Sequence, residues 1–244
     1  MSTEFVVYPR RDGVPYPQIY SRFKVKSQDD SNVEDEFYIQ DLTENYFDIA
    51  VDFIVENHAR GAVFHRAAGT IETEAGIEII RKYYRAAFEQ RVSLICIDAK
   101  TNNIAGLNAL YLATKFDPPK PKTDDPNFQN LNKILKLIED SFNVYEHYGV
   151  DRVMFAAGLC VDKTYRGRGI ATEILKARAH ILKAIGVEVT SSIFSTVGAQ
   201  KAAKAAGYDE NFSISYEDMD EKLPSLNFSH VYGYTCKVLS LKVK

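Results

Sequence analysis

The feature that most constrains this chain is a glycine-rich turn between an apolar run and a long amphipathic run. The turn, 161–171, reads Val-Asp-Lys-Thr-Tyr-Arg-Gly-Arg-Gly-Ile-Ala. It follows the apolar run 153–160 and leads into 170–185, where apolar residues recur at helical spacing. This order predicts a strand, a tight turn and the start of a helix. Such a junction offers unpaired backbone N–H groups at the positive end of a helix dipole, which favours a bound phosphate.

Two glycines and two arginines strengthen the case for an anion at this turn. Gly167 and Gly169 carry no Cβ, so a phosphate can approach the backbone closely. Arg166 and Arg168 add positive charge. A glycine-rich turn alone is weak evidence, because many α/β proteins use glycine only to make a tight connection. This turn lacks both the Gly-Lys-Ser/Thr of a nucleotide-triphosphate loop and the three-glycine spacing of a dinucleotide fold.

The composition is that of an ordinary globular protein and narrows the choice of partners. The 244 residues are 45% hydrophobic and 26% charged, which is ample for one elaborated domain. A net charge of -3 does not favour nucleic acid as a partner. Cys96, Cys160 and Cys236 have no paired spacing, which favours free, buried thiols in a reducing compartment. With no signal-peptide pattern and no membrane-length apolar window, we expect a cytoplasmic monomer without a membrane partner.

The first half of the chain predicts strands and helices in mixed order. We expect an N-terminal arm, 1–35, in which Phe23 and Val25 pair at a sheet edge. The elements predicted after it are a strand at 36–42, a helix ending near 57, an irregular piece at 58–69, a helix at 73–90, and a hairpin of strands at 92–98 and 104–112.

The second half adds the central strand, turn and helix to a proline-rich insertion and several short elements. The insertion covers about 113–127. The other elements predicted are helices at 128–148, 170–185 and 197–206, and strands at 187–192, 212–216 and 232–239. No internal repeat is present, so 36–244 is expected to form a single α/β domain, with a mixed central sheet of about seven strands flanked by helices.

The turn and its surroundings resemble a known family. The pattern Arg166-x-x-Gly169-x-Ala171 is similar to the Gln/Arg-x-x-Gly-x-Gly/Ala pyrophosphate loop of the GNAT superfamily of N-acetyltransferases. Within that superfamily the chain resembles the insect arylalkylamine N-acetyltransferases over about 36–240. The matching pieces are Asp140-Ser-Phe-Asn-Val-Tyr145, the Tyr-Arg-Gly-Arg-Gly-Ile-Ala turn, Ser191-Ser-Ile-Phe-Ser195, Lys201-Ala-Ala-Lys-Ala-Ala-Gly207-Tyr208 and Ile214-Ser-Tyr-Glu-Asp218.

The resemblance implies the GNAT fold and acetyl-CoA as the acyl donor. The residues it assigns to the pyrophosphate are Arg166, Gly167, Arg168, Gly169, Ile170 and Ala171. The end of the preceding strand would give its backbone groups to the pantetheine arm and the thioester through Leu159, Cys160 and Val161. Cys160 also raises a covalent acyl-enzyme route, although a lone buried cysteine more often serves only in packing.

Acetyl transfer from a thioester to an amine requires a base, because an ammonium near its ordinary pKa of about 10 has no lone pair. The insect branch commonly places an acidic residue in an Asp-Glu-Pro-Leu-like stretch just after the first helix. The matching stretch here, 55–60, has no proline and only one acid, Glu56. Glu56 is therefore the first candidate base, acting directly or through a water. His58, two residues later, is the alternative.

The resemblance also suggests groups for the leaving thiolate and for the amine. Ser191 and Ser195 match paired serines of the branch, with Ser195 nearer the sulfur. Ser195 also stands where a helix N-cap is expected. His230, before the last strand, matches a histidine often seen in this part of the family, and we expect it to line the amine pocket. The rest of that pocket is expected from Phe64, Tyr83, Tyr111 and Tyr216.

The sequence therefore predicts transfer of an acetyl group to the primary amine of a small molecule, an arylalkylamine or a polyamine-like compound. The amine would attack directly in a ternary complex. Two alternatives stay open: a catalytically weak acyl-CoA-binding or regulatory protein, and a protein-lysine acetyltransferase. No metal is expected, because neither His-x-x-x-His nor paired cysteine spacing occurs. The Gly-x-Ser-x-Gly pattern of a serine hydrolase is also missing.

Overall fold

The structure, a computed structural model, describes residues 10–27, 33–118 and 123–243. Its strands are β1 (Ile19–Lys26), β2 (Glu34–Asp41), β3 (Leu94–Asp98), β4 (Ile104–Thr114), β5 (Arg152–Val161), β6 (Val189–Phe194), β7 (Asp209–Ser215) and β8 (Thr235–Lys242). Its α-helices are α1 (Phe47–Asn57), α2 (Val63–Ala68), α3 (Glu74–Glu89), α4 (Pro126–Ser141), α5 (Val144–Tyr148), α6 (Ile170–Ile185), α7 (Val197–Ala205) and α8 (Tyr216–Lys222).

The strands form one mixed sheet in the order β1-β2-β3-β4-β5-β6-β8-β7. All its neighbouring pairs are antiparallel except β5 and β6, which run parallel. The predicted α/β architecture is confirmed, with eight strands instead of about seven. The additional strand is β1, which pairs with β2 at the sheet edge and places Phe23 opposite Phe37 and Val25 opposite Asp35.

Several predicted helix boundaries were wrong, because tertiary packing and side-chain caps determine where these helices begin and end. The piece 58–69 contains α2, a six-residue helix held by burial of Val63 and Ala68 against α4. The single helix predicted at 128–148 is broken at Phe142, whose backbone is extended. Asn143 then caps α5 by accepting the N–H groups of the two residues Tyr145 and Glu146.

Other differences are shifts at element ends. Helix α4 begins two residues earlier than predicted, because Pro126 occupies its first turn and Asp125 caps it. Strand β3 begins at Leu94, strand β7 covers 209–215, and strand β8 covers 235–242. Residues 1–9 and 28–32 of the predicted arm, and 119–122 of the predicted insertion, lie outside the described residues.

The sheet opens between its two central parallel strands. β5 and β6 are paired only at Met154 opposite Thr190 and at Phe155 opposite Ser191. Beyond these pairs β5 stays with β4 as far as Val161, while β6 stays with β8. A β-bulge in the β4–β5 pairing, where Ala157 is the extra residue, coincides with this separation. The backbone of 156–161 therefore has no strand partner on its β6 side, and we call this opening the β5–β6 gap.

Helices cover both faces of the sheet, so the gap is bordered by two separate cores. On one face, Ile54 of α1 and Tyr84 of α3 pack against β3, β4 and β5. On the other face, Ile174 and Ile181 of α6 pack against β2 to β5. A ligand that enters the β5–β6 gap therefore meets α1 and α3 on one side and α6 on the other.

Substitution of Gly76 by alanine should destabilise the fold. A Cβ at this position in the first turn of α3 would lie 2.2 Å from the backbone oxygen of Thr70. The overlap is with backbone, which cannot move aside cheaply. We expect the free energy of unfolding to fall by about 1–3 kcal/mol, although alanine is favoured over glycine within a helix by about 1 kcal/mol. Urea denaturation followed by circular dichroism measures the change.

Gly198 provides the matched control, because it occupies the first turn of α7 and a Cβ there meets nothing within 4 Å. Gly198→Ala should leave the unfolding free energy unchanged or raise it by up to about 1 kcal/mol. Equal effects of Gly76→Ala and Gly198→Ala would contradict the close contact with Thr70.

Candidate active site

The turn before α6 has the backbone geometry of an anion site. Gly167 and Gly169 adopt left-handed φ angles of 78° and 79°, which glycine allows without strain. A Cβ at either position would meet nothing within 4 Å, so the backbone conformation explains these glycines better than lack of space. Gly169 is the N-cap residue of α6, and its cap has no side-chain hydrogen bond. The 16-residue helix therefore begins with uncapped N–H groups at its positive end.

The two arginines of the turn have different roles. Arg166 is exposed, and its Nε donates to the backbone oxygen of Val161 at 3.0 Å. The Arg168 guanidinium lies instead against the first two strands. Its Nη2 donates to Asp35 at 2.5 Å and to the Lys26 carbonyl at 3.2 Å, and its Cζ lies 5.0 Å from the Phe37 ring centroid. The side chain predicted to face the anion therefore anchors the turn to the sheet.

Arg168→Met should weaken the fold more than it weakens binding of the acyl donor. The Arg168 side chain is only 9% exposed, and its loss leaves the partly buried carboxylate of Asp35 without its partner. We expect the free energy of unfolding to fall by about 1–3 kcal/mol, with a change of less than about threefold in the Michaelis constant for acetyl-CoA, the donor that the sequence predicts. Steady-state kinetics and denaturation of Arg168→Met, Asp35→Asn and the double variant test this pairing, and the two single effects should not add. A tenfold rise in that Michaelis constant at unchanged stability would place the guanidinium on the pyrophosphate.

The other residues predicted for the donor lie on β5 and at the start of α6. Leu159, Cys160 and Val161 form the last part of β5, beside the β5–β6 gap. Ile170 is 1% exposed and belongs to the core, so only its backbone can serve a ligand. Burial raises the pKa of the Cys160 thiol well above its ordinary value, so the thiol stays protonated. This environment favours packing over a covalent acyl-enzyme role for Cys160.

His58 is the candidate base that the fold brings to the β5–β6 gap. It follows α1, and a Cβ on Gly158 of β5 would lie 3.1 Å from its Nδ1 and 3.2 Å from its Cε1. Its Nδ1 is 3.1 Å from the hydroxyl oxygen of Tyr84. Burial lowers the pKa of His58 to about 4, which keeps the imidazole neutral at physiological pH. A neutral ring packed on β5 can accept a proton there.

Glu56, the first candidate from the sequence, lies on the surface. Its side chain is 58% exposed and accepts a hydrogen bond from Arg60 Nε at 2.7 Å. The pair is one helical turn apart in sequence and has the properties of an exposed surface ion pair. The structure therefore separates the two candidate bases. His58 contacts the gap, and Glu56 is engaged by Arg60.

A second histidine near His58 was missed by the sequence analysis. His65 of α2 has its Nδ1 2.7 Å from Thr70 Oγ1. The pKa of His65 is lowered to about 3, first by burial and second by the nearby His58. The signal in the sequence was two histidines within eight positions in a chain that has five. It was overlooked because 58–69 was interpreted as an irregular connection.

The predicted serines and His230 are found in three different environments. Ser191 is buried, and its Oγ accepts a hydrogen bond from Ser240 Oγ at 2.9 Å. Ser195 is half-buried just after β6, and the N-cap of α7 is Thr196 instead of Ser195. The capping role expected for Ser195 is therefore wrong, because the chain stays extended for one residue more. His230 is exposed in a short 3₁₀ turn, where partial burial and then Arg66 lower its pKa.

Aromatic side chains line the same face of the sheet as His58. Tyr83 of α3 hydrogen-bonds Tyr111 of β4. The Tyr111 ring stacks on Phe155 of β5 with a centroid distance of 5.7 Å, and Tyr145 meets Phe155 edge-on at 6.1 Å. These four rings, which we call the aromatic belt, reach His58 through Tyr84, whose ring centroid is 6.1 Å from that of Tyr83.

The other two predicted pocket residues belong to a different cluster. Phe64 meets Phe228 edge-on at 6.5 Å, and Tyr216 stacks on Phe228 at 5.7 Å. The Tyr216 hydroxyl donates to the Ser195 carbonyl at 2.6 Å. Tyr216 therefore fixes the chain between β6 and α7 instead of joining the aromatic belt.

Neither a metal-binding cluster nor a membrane-spanning helix is found in the part of the chain that the structure describes. In residues 10–27, 33–118 and 123–243, no group of three or more His, Cys, Asp or Glu side chains is arranged to hold a metal ion. None of the helices in those ranges combines the length and the apolar character needed to cross a bilayer.

Comparisons with known proteins agree with this geometry. Residues 135–208, from the middle of α4 to the residue before β7, match the model of the Acetyltransferase (GNAT) family. The structure is similar to that of a protein from the yellow fever mosquito Aedes aegypti provisionally named arylalkylamine N-acetyltransferase 7. The two share 30% sequence identity with a TM-score of 0.90, over 97% of this chain and 100% of the mosquito chain.

Two more distant structures share the fold. Arylalkylamine N-acetyltransferase 2 of Aedes aegypti is 16% identical with a TM-score of 0.74, over 85% of this chain and 99% of that one. A polyamine N-acetyltransferase of Drosophila melanogaster, which catalyses the formation of N-acetylagmatine, is 12% identical with a TM-score of 0.72, over 85% and 100%. The assignment of a family rests on the glycine turn, on the separation of β5 from β6, and on the match to the mosquito protein over the whole of its chain. This chain belongs to the GNAT family of acetyltransferases, as its sequence predicted.

Proposed function

We propose that this protein transfers an acetyl group from acetyl-CoA to the primary amine of an arylalkylamine. The observation that carries the proposal is the neutral His58 imidazole packed on Gly158, where β5 leaves β6. This contact supports a proton acceptor beside the part of β5 that is unpaired on its β6 side. The relatives named for arylalkylamine acetylation support the acceptor class.

The acyl donor is held by backbone groups in this proposal. Uncapped N–H groups at the start of α6, with the backbone of Gly167, Arg168 and Gly169, bind the pyrophosphate. The exposed Arg166 adds charge at the rim. The pantetheine arm enters the β5–β6 gap and hydrogen-bonds the free edge of 156–161 in place of a strand. The binding energy of the remote phosphates then positions the thioester.

The amine attacks the thioester carbon directly. In this proposal His58 carries its hydrogen on Nδ1, which lies 3.1 Å from the Tyr84 hydroxyl oxygen. Its Nε2 then has a lone pair and takes the amine proton, directly or through a water. A backbone N–H on the free edge of β5 donates to the thioester oxygen as negative charge develops there. In this proposal the half-buried Ser195, just after β6, donates its hydroxyl hydrogen to the leaving sulfur, the role that the resemblance to the insect branch implies. Glu56 takes no part.

The aromatic belt supports an arylalkylamine as the acceptor. Tyr83, Tyr111, Phe155 and Tyr145 lie on the His58 face of the sheet, and all four are neither fully buried nor fully exposed. Stacked and edge-on rings of this kind bind another aromatic ring well. An amine joined to an aryl group by a short chain then places its nitrogen near His58.

A polyamine is the second candidate, because one carboxylate lies near the aromatic belt. Glu139 of α4 raises the pKa of both Tyr83 and Tyr111, so its charge acts on the belt. The Glu139 side chain is exposed, so its negative charge faces solvent beside the aromatic belt and would attract a distal cation. If the acceptor carries a second amine, Glu139→Gln should raise its Michaelis constant, whereas an arylalkylamine should be unaffected.

A thiol-release assay with acetyl-CoA tests the proposal. Matched acceptors are an aryl ethylamine, an aliphatic diamine or agmatine, a lysine-containing peptide and no amine. We expect the aryl ethylamine to have the highest kcat/KM. A preference for the peptide would favour a protein-lysine acetyltransferase, and tight acetyl-CoA binding without thiol release from any amine would favour a regulatory acyl-CoA-binding protein.

A further inference from the structure

A fully buried arginine with only neutral partners lies beneath the β5–β6 gap. Arg178 of α6 has no solvent exposure. Its Nε donates to Asn108 Oδ1 at 2.7 Å, and its Nη1 donates to Thr190 Oγ1 at 3.2 Å and to Ser192 Oγ at 2.8 Å. Among the described residues no carboxylate pairs with it, and the neutral Tyr208 side chain also interacts with the guanidinium.

These contacts place the guanidinium under β5, where that strand leaves β6. Asn108 lies on β4, whereas Thr190 and Ser192 lie on β6. The planar guanidinium therefore lies across β5. Its Nε is hydrogen-bonded to a side chain of β4, and its Nη1 is hydrogen-bonded to side chains of β6. Its Nη2 lies between these two attachments and has no contact with solvent. The Asn108 side chain also donates to the Gly158 carbonyl at 2.7 Å, which ties Arg178 to the residue that contacts His58.

A positive charge is costly to bury without an anionic partner, even when neutral groups accept its hydrogen bonds. A buried cation normally has an anionic partner and a full set of hydrogen bonds. Burial lowers the pKa of Arg178 from its ordinary value, yet a guanidinium stays charged near neutral pH. Tyr208, with its ring centroid 5.8 Å from Arg178 Cζ, is the titratable group that packs against it, and burial raises the pKa of Tyr208. The guanidinium therefore carries a positive charge that no anion among the described residues offsets.

The position of Arg178 along α6 indicates which part of the acyl donor lies at the same level of the sheet. It lies eight residues after Ile170, or about 12 Å along the helix axis from the phosphate-binding turn. An extended pantetheine arm that starts at that turn and enters the β5–β6 gap reaches this level with its sulfur end. In acetyl transfer, the anion formed there is the leaving thiolate.

We propose that Arg178 stabilises the coenzyme A thiolate as it leaves. This inference rests on the proposed function. The amine nitrogen forms a bond to the thioester carbon, the carbon–sulfur bond breaks, and its electron pair departs on sulfur. The amine proton passes to His58, on the opposite side of Gly158, and from there to solvent. The fixed positive charge of Arg178 beneath β5 offsets the new negative charge on the sulfur.

Equilibrium binding to the wild-type protein tests this without any acceptor amine. Isothermal titration calorimetry measures the affinities of coenzyme A and of desulfo-coenzyme A from about pH 6.5 to about pH 9.5. The ratio of the two affinities isolates the contribution of the sulfur. If the bound thiol has its pKa lowered by one unit from about 8.5, coenzyme A should gain about tenfold in affinity over this range relative to the desulfo compound. An affinity ratio that stays flat or falls with rising pH would overturn the proposal.

Two variants assign the effect to Arg178. Arg178→Met keeps the length of the side chain and removes its charge, so the pH-dependent gain should disappear. Arg178→Lys keeps a charge and should retain part of the gain. If either variant fails to fold, the wild-type titration still decides whether a thiolate is favoured. Persistence of the full gain in a folded Arg178→Met protein would place the stabilising group elsewhere. Failure of both ligands to bind would instead contradict the proposed function itself.

Discussion

His58→Ala is expected to lower kcat for acetyl transfer by about 10²- to 10⁴-fold, the usual contribution of a positioned general base. Glu56→Gln should change kcat by less than about twofold, because Glu56 is exposed and paired with Arg60. The two residues are two positions apart in sequence, so each substitution serves as the control for the other. Steady-state kinetics at saturating acetyl-CoA measure the difference. A large loss in Glu56→Gln with normal turnover in His58→Ala would reverse the assignment of the base.

The pH dependence of the reaction follows from the same environment. Burial lowers the pKa of His58 to about 4, so its imidazole is neutral throughout the range above about pH 5. The acceptor amine, with an ordinary pKa of about 10, is the group that must still lose a proton. We therefore expect kcat/KM for the amine to rise steadily between pH 6 and pH 9. An inflection near pH 6.5 that is lost in His58→Ala would show that the imidazole titrates as if exposed.

Gly169→Asp is expected to raise the Michaelis constant for acetyl-CoA by at least tenfold. Gly169 is the N-cap residue of α6, with a φ angle of 79° that aspartate and asparagine tolerate better than most residues. A Cβ there meets nothing within 4 Å, so the fold accommodates the new side chain. A carboxylate at this place lies next to the proposed pyrophosphate. Repulsion of about 1–4 kcal/mol is expected for unit charges about 4 Å apart near a protein surface.

Gly169→Asn is the matched control, since asparagine has nearly the same shape without the charge. Both variants bear the same backbone strain, and the ratio of their Michaelis constants for acetyl-CoA isolates the electrostatic effect. Addition of salt should narrow the ratio, because the site is at the surface. Equal constants for the aspartate and asparagine variants would mean that the pyrophosphate binds away from the start of α6.

Backbone features of this protein were predictable from its sequence. The run 153–160, the glycines at 167 and 169 and the helical spacing of 170–185 define the strand, turn and helix that the structure contains. Each depends on neighbouring residues only, through alternation, left-handed φ angles and helix periodicity. The same local pattern carried the resemblance that the family comparison confirmed.

The roles of individual side chains depended on distant contacts and were not predictable. Arg168 meets Asp35 from 133 residues away, and Asn108 meets Arg178 across 70. Sequence spacing cannot reveal such partners. The choice between Glu56 and His58 depended on which side of the chain faces the sheet at the end of α1. Glu56 lies in the last turn of that helix, and His58 is the residue that follows it. Helix α2, with His65, was missed because burial against α4 stabilises a helix too short to be evident from periodicity.

The central claim is that an acetyl group passes from acetyl-CoA to an amine beside His58 in the β5–β6 gap. Mass spectrometry of a reaction that contains acetyl-CoA and an aryl ethylamine tests this most directly, with wild-type protein, His58→Ala and no protein in parallel. The account predicts one acetylated amine per released thiol with the wild type, at least a hundredfold less with His58→Ala, and no acetylated protein intermediate. An acetyl group found on Cys160, or equal product from wild type and His58→Ala, would contradict it.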